Sequence, residues 1–260
     1  MPNQTICIFT DLDGTLLDHE SYDYAPALPL LRDLTARGIP VVLTSSKTPS
    51  ELIALRAEMG LEGSPAICEN GAGIVQAGSR DLPDNSQWTR IRSELETVSA
   101  VLRRQFRGFG DMSVDEVAEA TGLPAEDASR AAQRCFTEPG IWLGSDAERD
   151  AFIAELAAKG ITARSGGRFL TLGPNITKAD RMEELIGQMG KPTSIALGDA
   201  PNDVEMLSRA SYGILIPNPH RAKPPKFSPD AEKRIIHASE PGPKGWAAAL
   251  SALLMELQLT

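Results

Sequence analysis

Apolar and polar positions alternate in two different regimes along the chain, and the change between them falls near residue 80. Before it, apolar runs at 6–10 (ICIFT), 39–44 (IPVVLT) and 65–68 (PAIC) alternate with stretches of helical period at 25–38 and 49–60. Short apolar runs separated by amphipathic helices predict a parallel sheet with crossover helices. In the stretch 25–38, Leu28, Leu31 and Leu34 form one buried stripe, and Gly38 stands just past the helix end, where a left-handed residue is needed.

Residues 79–92 are polar, with Pro and Asp, and break the alternation. Helices are then expected at 93–106, 113–122, 125–134 and 146–160, with a strand at 140–144 and a hairpin over 161–172 that turns on Gly166-Gly167. From 174 the first regime returns: helix 178–189, strand 194–198, helix 202–209, strand 212–216. The tail 217–245, rich in Pro and charge, reads as loop and short edge elements before a last helix at 245–257. The expected fold class is therefore α/β: a Rossmann-like parallel sheet core built from 1–83 and 172–260, with a small α+β domain, 84–171, inserted into it.

Composition narrows the function. A chain of 260 residues buries a sizeable core without staples, and Cys7, Cys68 and Cys135 show no C-x-x-C spacing, so reduced core thiols and a cytoplasmic location are expected. The start lacks a basic segment followed by an apolar one, and the apolar tail is too short to span a bilayer. A net charge of -9 argues against nucleic acid and anionic membrane as partners, while a small anionic substrate needs a local inversion of the field by a metal ion or a few basic groups. His19, His220 and His237 lack metal-ligand spacing and read as surface or structural. Oligomeric state is not legible.

Three polar clusters each follow directly on an apolar strand: Asp11-x-Asp13, Thr44-Ser45-Ser46-Lys47, and Asp199 with Asn202 and Asp203. Asp13-Gly14 alone would suit an ordinary turn. In an open parallel sheet, however, all three strand ends lie on the carboxyl edge, where such folds bind ligands. Thr177 and Asp180 have the spacing of a capping box, which places Lys178 in the first turn of a helix.

Carboxylates gathered at one place repel, and a hard divalent cation removes the conflict. Mg²⁺ is assigned to Asp11, Asp199 and the backbone carbonyl of Asp13, with Asn202 and Asp203 in the surrounding layer. Thr44, Ser45 and Lys178 are assigned to phosphoryl oxygens. In this reading Asp11 is the nucleophile that forms an aspartyl phosphate, and Asp13 protonates the leaving oxygen and then activates water. Gly14 supplies the bend that lets both face one phosphate.

At these residues the chain resembles the haloacid-dehalogenase-like phosphatase superfamily: D-x-D-G-T-L at 11–16, the hydroxyl motif at Thr44, Lys178, and G-D-x-x-N-D at 198–203. The position of the insert is similar to subfamily IIB, whose C2 cap recognises substrate. Members carrying ENGA, as at 69–72, are sugar-phosphate phosphatases and their relatives. The stretches TSSKT, RCFTEPGIW, SGGRFLTLG and GDAPNDVEML further resemble the branch that acts on glycosyl-3-phosphoglycerates, above all the mannosyl compound, releasing the compatible solute mannosylglycerate and phosphate. The resemblance implies a small anionic substrate, with Lys47 and Asn70 near the phosphate edge. It also implies Arg134 and Glu138 at glycerate and sugar hydroxyls, and Arg168, beside Gly166 and Gly167, at the glycerate carboxylate. Thr177-Lys178-Ala179 stands where Asp-Lys-Gly is usual.

Other readings are weaker. Residues 111–134 space two short helices as a helix-turn-helix does, but with six acidic side chains against two arginines they repel phosphate backbone. A phospho-accepting receiver has no use for Asp13 as acid and base. A phosphomannomutase-like transferase needs a second basic cluster, for which Arg103, Arg104 and Arg107 are candidates. An EF-hand fails on Gly14 and Tyr22, and no Walker A pattern exists.

Overall fold

The computed structural model describes residues 5–220 and 226–258. In chain order the elements begin β1 (Ile6–Thr10), α1 (Leu28–Ala36), β2 (Val41–Thr44), α2 (Pro49–Met59), β3 (Ala66–Cys68) and β4 (Gly73–Val75). Next come α3 (Ser86–Leu95), α4 (Ala100–Arg103), β5 (Phe106–Gly108), α5 (Val114–Thr121), α6 (Ala125–Ala132), β6 (Glu138–Trp142), α7 (Asp146–Ala157), β7 (Thr162–Gly166) and β8 (Phe169–Gly173). The chain closes with α8 (Lys178–Gln188), β9 (Thr193–Gly198), α9 (Val204–Arg209), β10 (Tyr212–Leu215), α10 (Pro229–Glu232), β11 (Ile235–His237) and α11 (Gly242–Glu256).

Two compact units result. The first takes the described parts of Met1–Ser46, Ala54–Ser79 and Thr177–Thr260; the second takes Lys47–Ile53 and Arg80–Ile176. These limits stand a few residues from the expected 83/84 and 171/172. On the far side β8 runs to Gly173, and Arg164 donates to Ile176 O (2.7 Å) and Asn175 Oδ1 (3.0 Å). Lys47–Ile53 joins the second unit, where Thr48 Oγ1 donates to Arg130 O at 2.9 Å.

The first unit holds a seven-stranded sheet in the order β11-β10-β9-β1-β2-β3-β4, parallel except for β4. Every residue of β1 is buried, as is every residue of β2 and β3, because helices cover both faces of a doubly wound sheet. One face packs Cys7, Phe9, Val42, Ile67 and Ala196 against Ala179, Met182 and Leu185 of α8. The order places β1 between β9 and β2, so the ends of the three strands that carry polar clusters are neighbours. Trp246 of α11 is fully buried and donates through Nε1 to Thr10 Oγ1 at 2.9 Å, tying the last helix to the end of β1.

The second unit holds an antiparallel sheet in the order β5-β6-β8-β7. Its interior packs Ile91 and Leu95 of α3 and Phe152 and Leu156 of α7 on Phe106, Leu170 and Leu172. The structure breaks the expected helix 93–106 into the end of α3, the single turn α4 and strand β5. Thr97 Oγ1 donates to Glu94 O (2.8 Å), the local bond by which a hydroxyl residue competes with a continuing helix. Phe106 then pairs with Trp142. The hairpin turn also shifts: Gly166 pairs with Phe169, so the two loop residues are Gly167, at φ +57°, and Arg168, in place of Gly166-Gly167. The expected tail 217–245 carries α10 and the parallel edge strand β11, and its residues 221–225 lie outside the described residues.

The turn Glu69–Gly71 follows β3 with three successive positive φ values, 49°, 58° and 97°. Gly71 is required there twice over. Its φ suits glycine, and a Cβ would stand 2.2 Å from Thr177 O, a backbone atom at the start of α8. Gly71→Ala should therefore lower the free energy of unfolding by about 2 kcal/mol or more. Urea unfolding followed by circular dichroism checks this, and wild-type stability would refute the steric argument.

Candidate active site

Asp11 stands one residue past β1, Asp199 one residue past β9, and Asp203 in the following turn. All three are buried, and each offers an oxygen within 4.8 Å of the others'. Lys178, 2 % exposed, donates through Nζ to Asp11 Oδ1 at 2.7 Å and to Asp203 Oδ1 at 2.7 Å. It reaches them because Thr177 caps α8: the Thr177 hydroxyl accepts from Asp180 N (3.2 Å) and Asp180 Oδ2 accepts from Thr177 N (2.9 Å). Arg181 fixes the same helix end to the Glu69–Gly71 turn by donating from Nε to Gly71 O at 3.0 Å.

Burial alone would push the Lys178 ammonium toward losing its proton. The charges of Asp11 and Asp203, and the hydrogen bonds to them, outweigh that and hold its pKa above the ordinary lysine value. Burial, followed by the negative charge of Asp11, pushes the Asp203 carboxyl up, against the pull of Lys178. Asp203 Oδ2 accepts from the backbone N–H groups of Asp199 (3.2 Å) and Ala200 (3.1 Å), which shapes the turn that carries Asp199.

Two residues that sequence reasoning missed hold the Asp199 carboxylate. Thr15 Oγ1 donates to Oδ1 at 2.9 Å, and Asn218 Nδ2 donates to Oδ2 at 2.7 Å. Thr15 was visible within D-x-D-G-T-L as a motif letter without a partner. Asn218 lies in the tail read as loop and short edge elements, and no spacing rule connects it to Asp199. Gly14 has φ +93°, and a Cβ on it would stand 2.3 Å from Asn218 Nδ2 and 2.8 Å from Asp199 Oδ2. Its absent side chain thus makes room for a carboxylate and its partner as well as for a bend.

Asp13 is half-buried, in a tight loop where Gly14 N donates to Leu17 O at 2.9 Å. Thr44, fully buried at the end of β2, donates through Oγ1 to Val42 O at 3.3 Å. Ser45 N donates to Ile67 O and Ser45 O accepts from Asn70 N, each at 2.9 Å, so the Ser45 amide serves the sheet and not a phosphate. Asn70 Oδ1 accepts from Asn202 Nδ2 at 3.2 Å, joining two loops at the sheet edge.

The remaining candidates, Lys47, Arg134, Glu138, Gly166, Gly167 and Arg168, belong to the second unit. Glu138 is fully buried and accepts from Trp88 Nε1 (2.6 Å), Arg92 Nη1 (3.0 Å) and Gly110 N (2.8 Å), so in this structure its carboxylate is engaged inside the unit and not offered to a sugar. Arg134 donates to Thr137 Oγ1 at 2.7 Å. Arg168 is exposed in the hairpin turn, its guanidinium 5.8 Å from the centre of the Phe169 ring.

Three hard carboxylates share a single ammonium in a buried place. Oxygen donors of that kind suit a divalent cation. The arrangement is that of a buried acid-and-cation centre on the carboxyl edge of a doubly wound sheet, the place where proteins of the α/β class bind ligands.

The profile of the haloacid dehalogenase-like hydrolases matches residues 8–94 and 143–222. A curated relative, glucosyl-3-phosphoglycerate/mannosyl-3-phosphoglycerate phosphatase of Persephonella marina, is 34% identical over 96% of this chain and 98% of its own. Among solved structures, a phosphatase of the haloalkanoate superfamily from Bacteroides thetaiotaomicron is 18% identical, with a TM-score of 0.67 over 100% of this chain and 97% of that one. A subclass IIB sugar phosphatase of the superfamily is 14% identical, with a TM-score of 0.62 over 98% of this chain and 100% of that one. The two structures share the fold. The chain belongs to the haloacid dehalogenase-like hydrolases.

Lys178 is the cation on which the buried centre depends. Lys178→Met in EDTA should cost about 3–5 kcal/mol of stability at pH 7, since it leaves the three clustered carboxylates facing one another without a counter-charge. The loss should shrink as the pH falls toward the carboxylate range. Folding raises the pKa of Asp203 even with Lys178 drawing it down, and the substitution removes that pull. The folded variant therefore takes up the proton at a higher pH than the folded wild type or the unfolded chain, and acid favours it selectively. Urea unfolding at pH 7 and pH 5 measures this; a pH-independent loss would refute it.

Proposed function

We propose that this phosphoric monoester hydrolase acts on the phosphate of mannosyl-3-phosphoglycerate, and of its glucosyl counterpart, with Mg²⁺ as cofactor and Asp11 as nucleophile. The observation that carries the reading is the Lys178 ammonium bonded at 2.7 Å to both Asp11 and Asp203, with Asp199 beside them and Asp13 two residues from Asp11. The substrate class is supported by the relative from Persephonella marina, whose name covers both glycosyl compounds.

Asp11, Asp199 and the Asp13 carbonyl would hold the ion, with Asp203 and Asn202 around them. When bound, Mg²⁺ would balance the excess carboxylate charge and draw phosphoryl oxygens toward the site. Lys178 holds Asp11 through Oδ1, which orients the carboxylate for attack through its second oxygen. As the Asp11 oxygen-to-phosphorus bond forms, the ester bond breaks and Asp13 gives its proton to the leaving glycerate oxygen. Asp13, now ionised, takes a proton from a water that attacks phosphorus, which frees Asp11 and releases phosphate. Two carboxylates two residues apart can divide these roles because their surroundings differ. Asp11 lies buried against an ammonium, whereas Asp13 is half-buried in the loop that follows β1.

Asp11→Asn should reduce phosphate release from mannosyl-3-phosphoglycerate by at least about 10⁴-fold while the far-ultraviolet circular dichroism stays unchanged. EDTA should stop the wild-type reaction and added Mg²⁺ restore it. Retained turnover by the variant would remove Asp11 from the nucleophile's role, and a rate indifferent to EDTA would remove the cation.

A further inference from the structure

The amide of Asn218 has an orientation fixed from both ends. Its Oδ1 accepts the backbone N–H of His220 at 2.9 Å, and its Nδ2 donates to Asp199 Oδ2 at 2.7 Å. A backbone N–H requires an oxygen opposite it and a carboxylate requires a donor, so the two contacts exclude the flipped amide. The loop that carries Asn218 is itself anchored. Ile216 N donates to Gly198 O at 2.9 Å, one residue before Asp199, and the ring of His220 stacks on that of His19 with centroids 4.9 Å apart and planes 11° from parallel. Gly14 closes the remaining side, because any side chain there would occupy the position of Asn218 Nδ2.

We infer that Asn218 is a positioning residue for the cation: it fixes the rotation of the Asp199 carboxylate, and with it the affinity of the site for a divalent metal. This rests on the reading of Asp199 as a metal ligand. Thr15 holds Oδ1 of the same carboxylate, so the group is gripped at both oxygens and has no freedom to turn. A carboxylate preset in this way loses less rotational freedom when a cation binds. Partners in the layer around metal ligands typically change metal affinity by about 10–100-fold when removed. Neither Thr15 nor Asn218 carries a charge. The preset therefore acts through direction and leaves the charge of the site, on which the cation depends, unchanged.

The test is direct binding of Mn²⁺, used in place of Mg²⁺ and followed by electron paramagnetic resonance without substrate, for the wild type, Asn218→Ala, Asn218→Leu and Asp199→Ala. Asn218→Leu keeps the volume and removes the donor, and Asn218→Ala is small enough to fold without strain. We expect the Kd for Mn²⁺ to rise about 10–100-fold in both Asn218 variants. Hydrolysis of p-nitrophenyl phosphate should need correspondingly more Mg²⁺ for half-maximal rate, with KM for the ester unchanged at saturating metal. Wild-type Mn²⁺ affinity in Asn218→Leu, alongside lost affinity in Asp199→Ala, would overturn the role of Asn218 and leave the metal reading standing. Equal Mn²⁺ affinity in the wild type and Asp199→Ala would overturn both.

Discussion

The buried ammonium of Lys178 between Asp11 and Asp203 is the constraint on which the first unit is arranged. An ammonium and two carboxylates cannot be withdrawn from water unless each finds its partner, and the partners here come from three separate parts of the chain. Asp11 is supplied by the end of β1, Asp203 by the turn after β9, and Lys178 by the first turn of α8. For them to meet, β9 must pair with β1 in the observed register, α8 must begin at Lys178 and no later, and the Glu69–Gly71 turn must lie flat against Thr177. Several costly local features are explained by this single meeting. The three residues of positive φ at 69–71 and the glycine that a Cβ would drive into a backbone carbonyl both stand where α8 is seated.

The same centre is deliberately unbalanced. Lys178 neutralises one carboxylate's worth of charge among three, and the donors that hold Asp199 are neutral. A fold optimised for stability alone would place a second cation or an apolar residue there. The remaining negative charge, together with the direction imposed on Asp199, favours a divalent ion and an oxyanion drawn to it. This is the usual form of the conflict between stability and activity, in which local rules are broken at the functional site and satisfied around it.

Much of this was legible in the sequence, for a physical reason. In a doubly wound sheet the chemistry collects at strand ends, and strand ends are marked by the step from an apolar run to a polar cluster. Asp11, Asp13, Thr44, Asp199 and Asp203 all stand at such steps, and the capping box announces where α8 begins and therefore where Lys178 points. Thr15 and Asn218 were not legible as partners, because a hydrogen bond across 184 or 19 residues leaves no periodicity. The second unit was read less well. Its strands are three to five residues long and its turns are set by register, so a shift of one residue moved the hairpin turn onto Arg168. Glu138 looked like a polar group awaiting a sugar. What the sequence could not convey is that Trp88, Arg92 and Gly110, none adjacent to it, converge on its carboxylate.

The fate of the second unit's arginines bears on the choice between hydrolysis and phosphoryl transfer to a second phosphate ester. A transferase needs a further basic cluster able to receive that phosphate. Arg103 is held by Asp111 and Glu96 and donates to Phe106 O, while Arg107 pairs with Glu116. Burial works against Asp111, yet Arg92 and Arg103 hold its carboxyl down at about 2, so at neutral pH it is a fixed anion that keeps both guanidiniums occupied. An incoming phosphate would have to displace carboxylates already bonded at 2.5 to 3.1 Å, without gaining charge that the unit has to spare. Arg103 and Arg107 are thus counter-ions to acids of their own unit, which weakens two of the three arginines that a transferase would need.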